Sequence, residues 1–393
     1  MEPIEFIDPW YYGTAYYIFF LFLSWATVLY YIGSAQQKIL RAEGSPIQSA
    51  AIILTAYLIY FLGLRQVAGE FGDMRAYYNN YRLMAPVYDA ISFKTEWLWR
   101  DFAVFCRHLH LNPYEYFLSV EFVYIGSMFL CAWLLMRKNL WIAMLYFFTA
   151  FSFFSYGTNG IRNGMACSVE IVALCLLTDE NRAKRLFSFF LMFLALGIHR
   201  STMLPSVAAI ASLYFIKDTK IALRFWLISI GISLVAGPLV TNFFASLGFD
   251  DRMSNYSIDA SESDAADAFS STGFRWDFLL YSSFPVALIW YVTRYRKFTD
   301  TAYTVFANVY LLCNAFWIMV IRSAFSNRFA YLSWFLYPVV MTLPLLRMNL
   351  WKDQDRKTAI MLFLYSGFTF FMFFVYYFGT TGFRGFDQYW WRE

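Results

Sequence analysis

Long apolar runs separated by short polar stretches recur from residue 12 to residue 378. A bilayer core is crossed by a helix of about 20 apolar residues rising about 1.5 Å each. The pattern predicts twelve such segments, near 12–34, 48–64, 113–136, 140–156, 159–178, 186–198, 202–216, 222–248, 276–293, 301–321, 327–347 and 358–378. Most are bounded by charges or by Gly, Pro or Asn, where helices stop. No repeat recurs at a fixed period. The fold class expected is all-α: one integral membrane domain over residues 1–393, with some segments short or broken. Residues 65–112 predict an external loop, in which the apolar positions of Phe93–Leu109 fall near helical spacing and suggest an interfacial helix. Residues 249–275 are acidic and rich in Ser and Ala, and predict a flexible external loop.

Composition points the same way. The chain is 60% hydrophobic and 15% charged, where a soluble domain has about 45–50% and about 25%. The net charge of +4 is small, which excludes a nucleic-acid binder. The five cysteines form no CxxC pair and mostly fall in apolar runs, so they read as small buried hydrophobes rather than disulfides. Residues 1–8, MEPIEFID, are acidic where a signal peptide starts basic, so no cleavable signal is expected.

Charge then orients the segments. Lysine and arginine gather in alternate connections, which hold eight of the nine lysines. Positive residues mark the cytoplasmic side, so both termini are expected outside. The external connections carry thirteen arginines against the single Lys94. A positive-inside bias does not explain that preference. Arginine differs from lysine by a planar fork that grips phosphate or carboxylate bidentately and stays charged in a low dielectric. Pairing with external acids is the competing explanation.

Four external clusters lie at helix ends. In GLRQVAGEFGDMRAYYNNY, residues 63–81, Arg65, Glu70, Asp73, Tyr77 and Tyr81 follow the second segment. If 73–81 is helical, Asp73, Tyr77 and Tyr81 share a face, and a carboxylate with two aromatic rings suits sugar hydroxyls and C–H faces. An interfacial aromatic belt is the structural alternative. In NGIRNGMACSVE, residues 159–170, Arg162 and Glu170 share a helix face, with Glu170 inside a segment where a carboxylate needs a cavity or a partner. Glu121 is similar, without a local partner. In HRSTMLP, residues 199–205, the two flanking segments are short, so His199, Arg200 and Ser201 are expected at membrane depth in a recess open to the outside. A hydrogen-bonded core histidine is the ordinary alternative. In RSAFSNRFAYL, residues 322–332, Arg322, Asn327 and Arg328 sit at the start of the eleventh segment, where helix-terminal N–H groups favour anions.

Other signals are weaker. His108 and His110 would point apart on a helix, so no metal site is expected there. The 250–269 stretch fits no Ca²⁺-loop spacing, and there is no P-loop, dinucleotide fingerprint or HExxH.

Taken together, GLR…GD…Y…Y, IRNGMA, HRS…LP and NRFAYL, in that order along the whole chain, resemble the EpsG/Wzy-like polysaccharide polymerases. The resemblance implies a membrane glycosyltransferase of GT-C-like architecture in the bacterial cytoplasmic membrane. Its donor and acceptor would be oligosaccharides on undecaprenyl diphosphate, joined at the external face, with the lipid bilayer and a chain-length regulator as further partners. The chemistry requires a diphosphate pocket, a base and support for oxocarbenium-like charge. Arg65, Arg162, Arg200, Arg322 and Arg328 are the candidates for diphosphate; His199, with Asp73 second, for the base; Glu70, Tyr77 and Tyr81 for sugar; Glu170, Ser201 and Asn327 complete the set. No external Asp/Glu cluster has ligand spacing, so neither a metal nor another cofactor is expected. A lipid-linked glycan transporter, or another polyprenyl-linked transferase or ligase, is the alternative. Against a transporter, the ionisable residues cluster externally and the halves show no matching pattern.

Overall fold

The computed structural model describes residues 1–33, 46–88, 96–246, 274–323 and 326–380. All regular structure among these is helical. In chain order the helices are α1 (Pro9–Gly33), α2 (Pro46–Gly63), α3 (Met74–Leu83), α4 (Trp97–His108), α5 (Pro113–Met136), α6 (Leu140–Phe148), α7 (Phe151–Thr158) and α8 (Ile161–Leu177). They continue as α9 (Arg182–Ile198), α10 (Met203–Tyr214), α11 (Thr219–Ser246), α12 (Trp276–Trp290), α13 (Thr301–Met319), α14 (Asn327–Trp334), α15 (Tyr337–Arg347) and α16 (Gln354–Thr380). The expected acidic loop falls almost wholly outside the described residues, as do Lys94 and most of the connection between the first two segments.

Among the described residues six stretches are long and apolar enough to cross a membrane: Pro9–Gly33, Pro113–Phe148, Thr219–Gly237, Thr301–Met319, Asn327–Arg347 and Gln354–Phe374. The protein is therefore a polytopic helical membrane protein. Several other expected segments are shorter helices. The 140–156 run divides where Ala150 turns extended (φ −65°, ψ 136°), between α6 and α7. The runs at 159–178, 186–198 and 202–216 become helices of 17, 17 and 12 residues.

Local sequence sets several helix starts. Asn112 accepts from the N–H groups of Tyr114 and Glu115 at 3.0 Å while Glu115 accepts from Asn112, a complete capping box with Pro113 next in line. Asn181 and Asp300 cap α9 and α13 more simply, each side chain accepting one N–H, from Ala183 and Tyr303 respectively.

The described residues form two compact units: Met1–Tyr88 with Ala103–Gly164 and Leu345–Glu393, and Asp89–Phe102 with Met165–Pro344. In the first, α1 packs on α16, α2 on α5, and the almost wholly buried α6 fits among α2, α5 and α16. Tyrosine hydroxyls tie these helices by donating to carbonyls: Tyr12 to Phe61, Tyr16 to Phe148 and Tyr124 to Phe153. In the second unit α13 is the central helix, with α10, α11 and α14 against it. Asn314, fully buried on α13, accepts from the Trp226 indole (2.7 Å) and donates to Ser333 (2.9 Å). Asn308 donates to Ser212 and to the Ile216 carbonyl. In a lipid environment such side-chain bonds bind helices that apolar contact alone does not select. All five cysteines are free and buried, as composition suggests.

Candidate functional site

Two groups of candidate residues emerge, one within each unit. In the first, the chain after α2 turns back through a short 3-10 turn, Gly69–Phe71, into α3. Gly72 makes this possible: its φ is +60°, and a Cβ there would lie 2.4 Å from the Asn159 side-chain oxygen. That same oxygen accepts the Asp73 N–H at 3.0 Å, so Asp73 is held beside the segment that opens α8 and carries Arg162. The first two sequence clusters thus come together. Asp73, Tyr77 and Tyr81 follow one face of α3, exposed, half-buried and buried in turn, while Glu70 is exposed on the 3-10 turn.

Tyr81 is committed to packing. It stacks on Tyr116 at 4.2 Å, donates its hydroxyl to the Leu111 carbonyl at 2.8 Å, and lies under the Arg107 guanidinium. Burial pushes its phenol up to about 12, and pushes the neighbouring Cys106 thiol up to about 11.

Arg65 has a role that spacing alone did not suggest. Its side chain is 0% exposed and that of Glu121 1%, with 3.4 Å between charged atoms. The guanidinium also donates to the carbonyls of Leu62 and Thr158 and lies between the rings of Phe71 and Phe117. It joins the end of α2, the middle of α5 and the end of α7, and Glu121 finds its partner there. So enclosed, Arg65 is not presented to a lipid diphosphate in this structure.

In the second unit, α9 ends at Ile198 and a single 3-10 turn, Arg200–Thr202, leads into α10. His199 is the hinge (φ −149°, ψ 120°), and its Nδ1 accepts the Ser201 N–H at 3.2 Å, with Ser201 Oγ at 2.8 Å. That N–H puts the lone pair of the neutral imidazole on Nδ1. A third group meets the same atom: Glu96 Oε1 at 3.6 Å, with His199 20% and Glu96 19% exposed. Sequence reasoning missed Glu96, which precedes α4 about a hundred residues earlier. The only local signal is Gly197. A Cβ there would lie 2.8 Å from the Trp97 ring and 3.0 Å from Leu98 Cβ, so α4 approaches α9 closely enough to bring Glu96 to the imidazole.

Arg200 is half-buried on the turn. Glu170, buried on α8, accepts from Ser206 of α10 at 2.9 Å, and its second oxygen has no hydrogen-bond partner among the described residues. That bond holds the start of α10, and with it the His199 turn, against α8. Asn327 and Arg328 are half-buried in the first turn of α14. Arg322 lies across the kink of α11: Ala236 departs from helical geometry (φ −128°, ψ 19°), and a Cβ on Gly237 would be 3.1 Å from Arg322 Cδ. The Arg322 guanidinium sits 5.8 Å from the Phe274 ring centre.

His108 stacks on Tyr88 and His110 sits in a turn at φ +56°. Among the described residues no three His, Cys, Asp or Glu side chains gather as a metal-ligand group.

Comparison with known proteins adds one finding. The sequence model of the EpsG family matches residues 50–389. No curated protein and no solved structure matches the chain.

Proposed function

The chain belongs to the EpsG family, and from that membership we propose that it is a bacterial polysaccharide polymerase. Its substrates are oligosaccharide repeat units on undecaprenyl diphosphate, joined at the external face of the cytoplasmic membrane. In this reading the chain crosses the membrane twelve times in a GT-C-like arrangement, with both termini outside. The short helices α8, α9 and α10 count as crossings, and the His199 turn is recessed from the outer surface.

The observation that carries the reaction is the His199–Arg200–Ser201 turn, where a partly exposed imidazole adjoins an arginine between two short apolar helices. An acceptor hydroxyl attacks the anomeric carbon of the donor as its proton passes to His199 Nδ1. The new glycosidic C–O bond forms, the bond from the anomeric carbon to the diphosphate oxygen breaks, and lipid diphosphate leaves with the electron pair. An imidazole titrates near neutrality and suits the base. Arg200, Arg322 and Arg328 offer fixed positive charge for the leaving diphosphate, and Arg162 is a further candidate. Asp73, Glu70 and Tyr77 are assigned to sugar hydroxyls. Arginine supplies the charge in this scheme, so no divalent metal is required.

The test is the glycan ladder in cells lacking the protein, complemented with wild type, His199→Ala or Arg328→Ala. The proposal requires single lipid-linked repeats in the deletion, a ladder with wild type, and loss of the ladder with both variants at normal expression. Repeats retained on the cytoplasmic face of the deletion strain would instead indicate a transporter.

A further inference from the structure

We propose that Glu96 is a positioning residue for His199, placing its charge beside Nδ1 and stabilising the imidazolium that forms when the base takes its proton. This inference rests on the reading of His199 as base and names a residue that neither family membership nor sequence spacing assigns.

Three observations carry it. Glu96 Oε1 stands 3.6 Å from Nδ1, both side chains being about four-fifths shielded from water. Nδ1 is also the atom whose lone pair receives the Ser201 N–H, so the proton-accepting atom of the neutral ring is the one facing the carboxylate. When Nδ1 gains a proton it becomes a donor, and the donors and acceptors around it must change partners. Ser201 Oγ, at 2.8 Å, can accept from the new N–H, while the Glu96 carboxylate supplies the opposite charge. The third observation is structural. The Glu96 backbone opens α4, and the packing of Trp97 and Leu98 on Gly197 holds that end of α4 against the end of α9. A carboxylate delivered from a separate helix, across a contact that only glycine permits, is a fixed feature of the turn rather than a passing surface pair.

The charged and titratable groups carried by the turn and by the helices that meet at it can be named. α9 ends in apolar residues from Phe193 to Ile198, and α10 carries no titratable side chain before Tyr214. The turn itself carries Arg200, and α4 carries Arg100 and Asp101 one turn beyond Glu96. An opposite charge within about 4–6 Å favours the charged form of a titrating group. The Glu96 carboxylate thus places a compensating charge beside the imidazolium formed in the reaction, and Arg200 places an opposing one.

The sign follows. A base works in its unprotonated form, so the rate rises with pH through the imidazole's titration. Removing the negative charge in Glu96→Gln lowers that titration point. The acidic limb of the rate profile moves to lower pH, by about one unit, while the plateau rate falls by about tenfold because the imidazolium is less stabilised. Glu96→Asp keeps the charge, so its acidic limb stays at the wild-type position even where the rate drops.

The experiment uses the full chain, purified and reconstituted in proteoliposomes with lipid-linked repeat units, and follows initial ladder formation from pH 5 to 9. The expected result is a shifted limb for Glu96→Gln and an unshifted one for Glu96→Asp. A merely structural Glu96 would lower the rate equally at every pH in both variants, and that result overturns the inference. So does a Glu96→Gln enzyme that matches wild type throughout. If wild type itself builds no ladder, the polymerase reading fails first; if His199→Ala keeps a full rate, the base assignment fails. Both are distinct from failure of the Glu96 inference alone.

Discussion

Replacing Arg65 by alanine should destabilise the protein by about 3–5 kcal/mol, the usual loss when one partner of a buried ion pair is removed. The structure accounts for that size. Both side chains are enclosed, at 0% and 1% exposure, with the charges 3.4 Å apart. At an effective dielectric of about 20 the attraction at that distance is about 5 kcal/mol. The guanidinium also donates to the Leu62 and Thr158 carbonyls, and hydrogen bonds from a charged donor contribute about 1.5–3 kcal/mol each. Against these gains stands the desolvation of two ions, several kcal/mol apiece. The pair as a whole therefore contributes little net stability, whereas either half alone is strongly unfavourable.

That asymmetry is the testable part. Arg65→Ala should lower the melting temperature of detergent-solubilised protein by about 4–6 °C. The double variant Arg65→Met, Glu121→Leu should recover most of the loss, because it leaves no stranded charge. Arg65→Lys should remain well below wild type, since an ammonium cannot reproduce the fork that reaches two carbonyls and a carboxylate. Single variants that melt within a degree or two of wild type would refute the enclosed-pair account. A double variant as unstable as the sum of its singles would refute it too, since coupled residues are not additive. A stable Arg65→Ala protein that fails to polymerise would return Arg65 to the diphosphate-binding set.

Four further outcomes follow from particular contacts. Gly72→Ala combines a strained positive φ with a 2.4 Å clash on Asn159; it should cost about 1–3 kcal/mol and slow ladder formation by displacing Asp73, measured by melting and by glycan gels. Gly197→Val drives a side chain into Trp97, so ladder formation should fall sharply at near-normal expression if the end of α4 is pushed off α9; unchanged activity would deny that the contact matters. Tyr81→Phe loses one buried hydroxyl bond, costing about 1 kcal/mol, and should leave the ladder intact. In wild type the raised phenol titration makes its contribution to stability present below about pH 10 and lost as pH climbs towards about 12, which a melting series from pH 8 to 12 would follow. Treatment with EDTA should leave ladder formation by purified protein unchanged, since arginine carries the charge in the proposed scheme; an inhibition reversed by Mg²⁺ would sink that scheme.

The helical membrane class was legible in the apolar runs, and so was the face shared by Asp73, Tyr77 and Tyr81, because 3.6-residue periodicity is a local property of the chain. What those side chains do along the face was not. Tyr81 looks like Tyr77 in sequence, but Tyr77 is half-buried while Tyr81, one turn on, is buried and stacked on Tyr116. Segment lengths were legible only coarsely. Hydropathy does not register that Ala150 turns extended or that Ala236 breaks helical geometry, since both residues are apolar and common in helices. Pairings over long sequence separations, 56 residues for Arg65–Glu121 and about a hundred for Glu96–His199, leave no trace in local spacing.

Charged residues near helix ends nevertheless meet different fates here, and the backbone decides which. Arg65 follows the last turn of α2, where helix-terminal carbonyls lack partners, and it satisfies one of them along with the last carbonyl of α7 and Glu121. Its two terminal nitrogens are taken up by the fold, while Nε is buried without a partner among the described residues. Arg328 instead lies in the first turn of a helix, among N–H groups rather than carbonyls. Backbone there repels a guanidinium and attracts an anion. An arginine so placed, half-buried at the positive end of the helix dipole, reinforces the local positive field instead of cancelling it. Positive charge next to positive dipole is costly in an empty protein and becomes favourable when an anion arrives. Arg162, in the first turn of α8, shares that position. Arg200 and Arg322, by contrast, follow the ends of α9 and α13, so helix polarity alone does not select all the arginines proposed for the diphosphate.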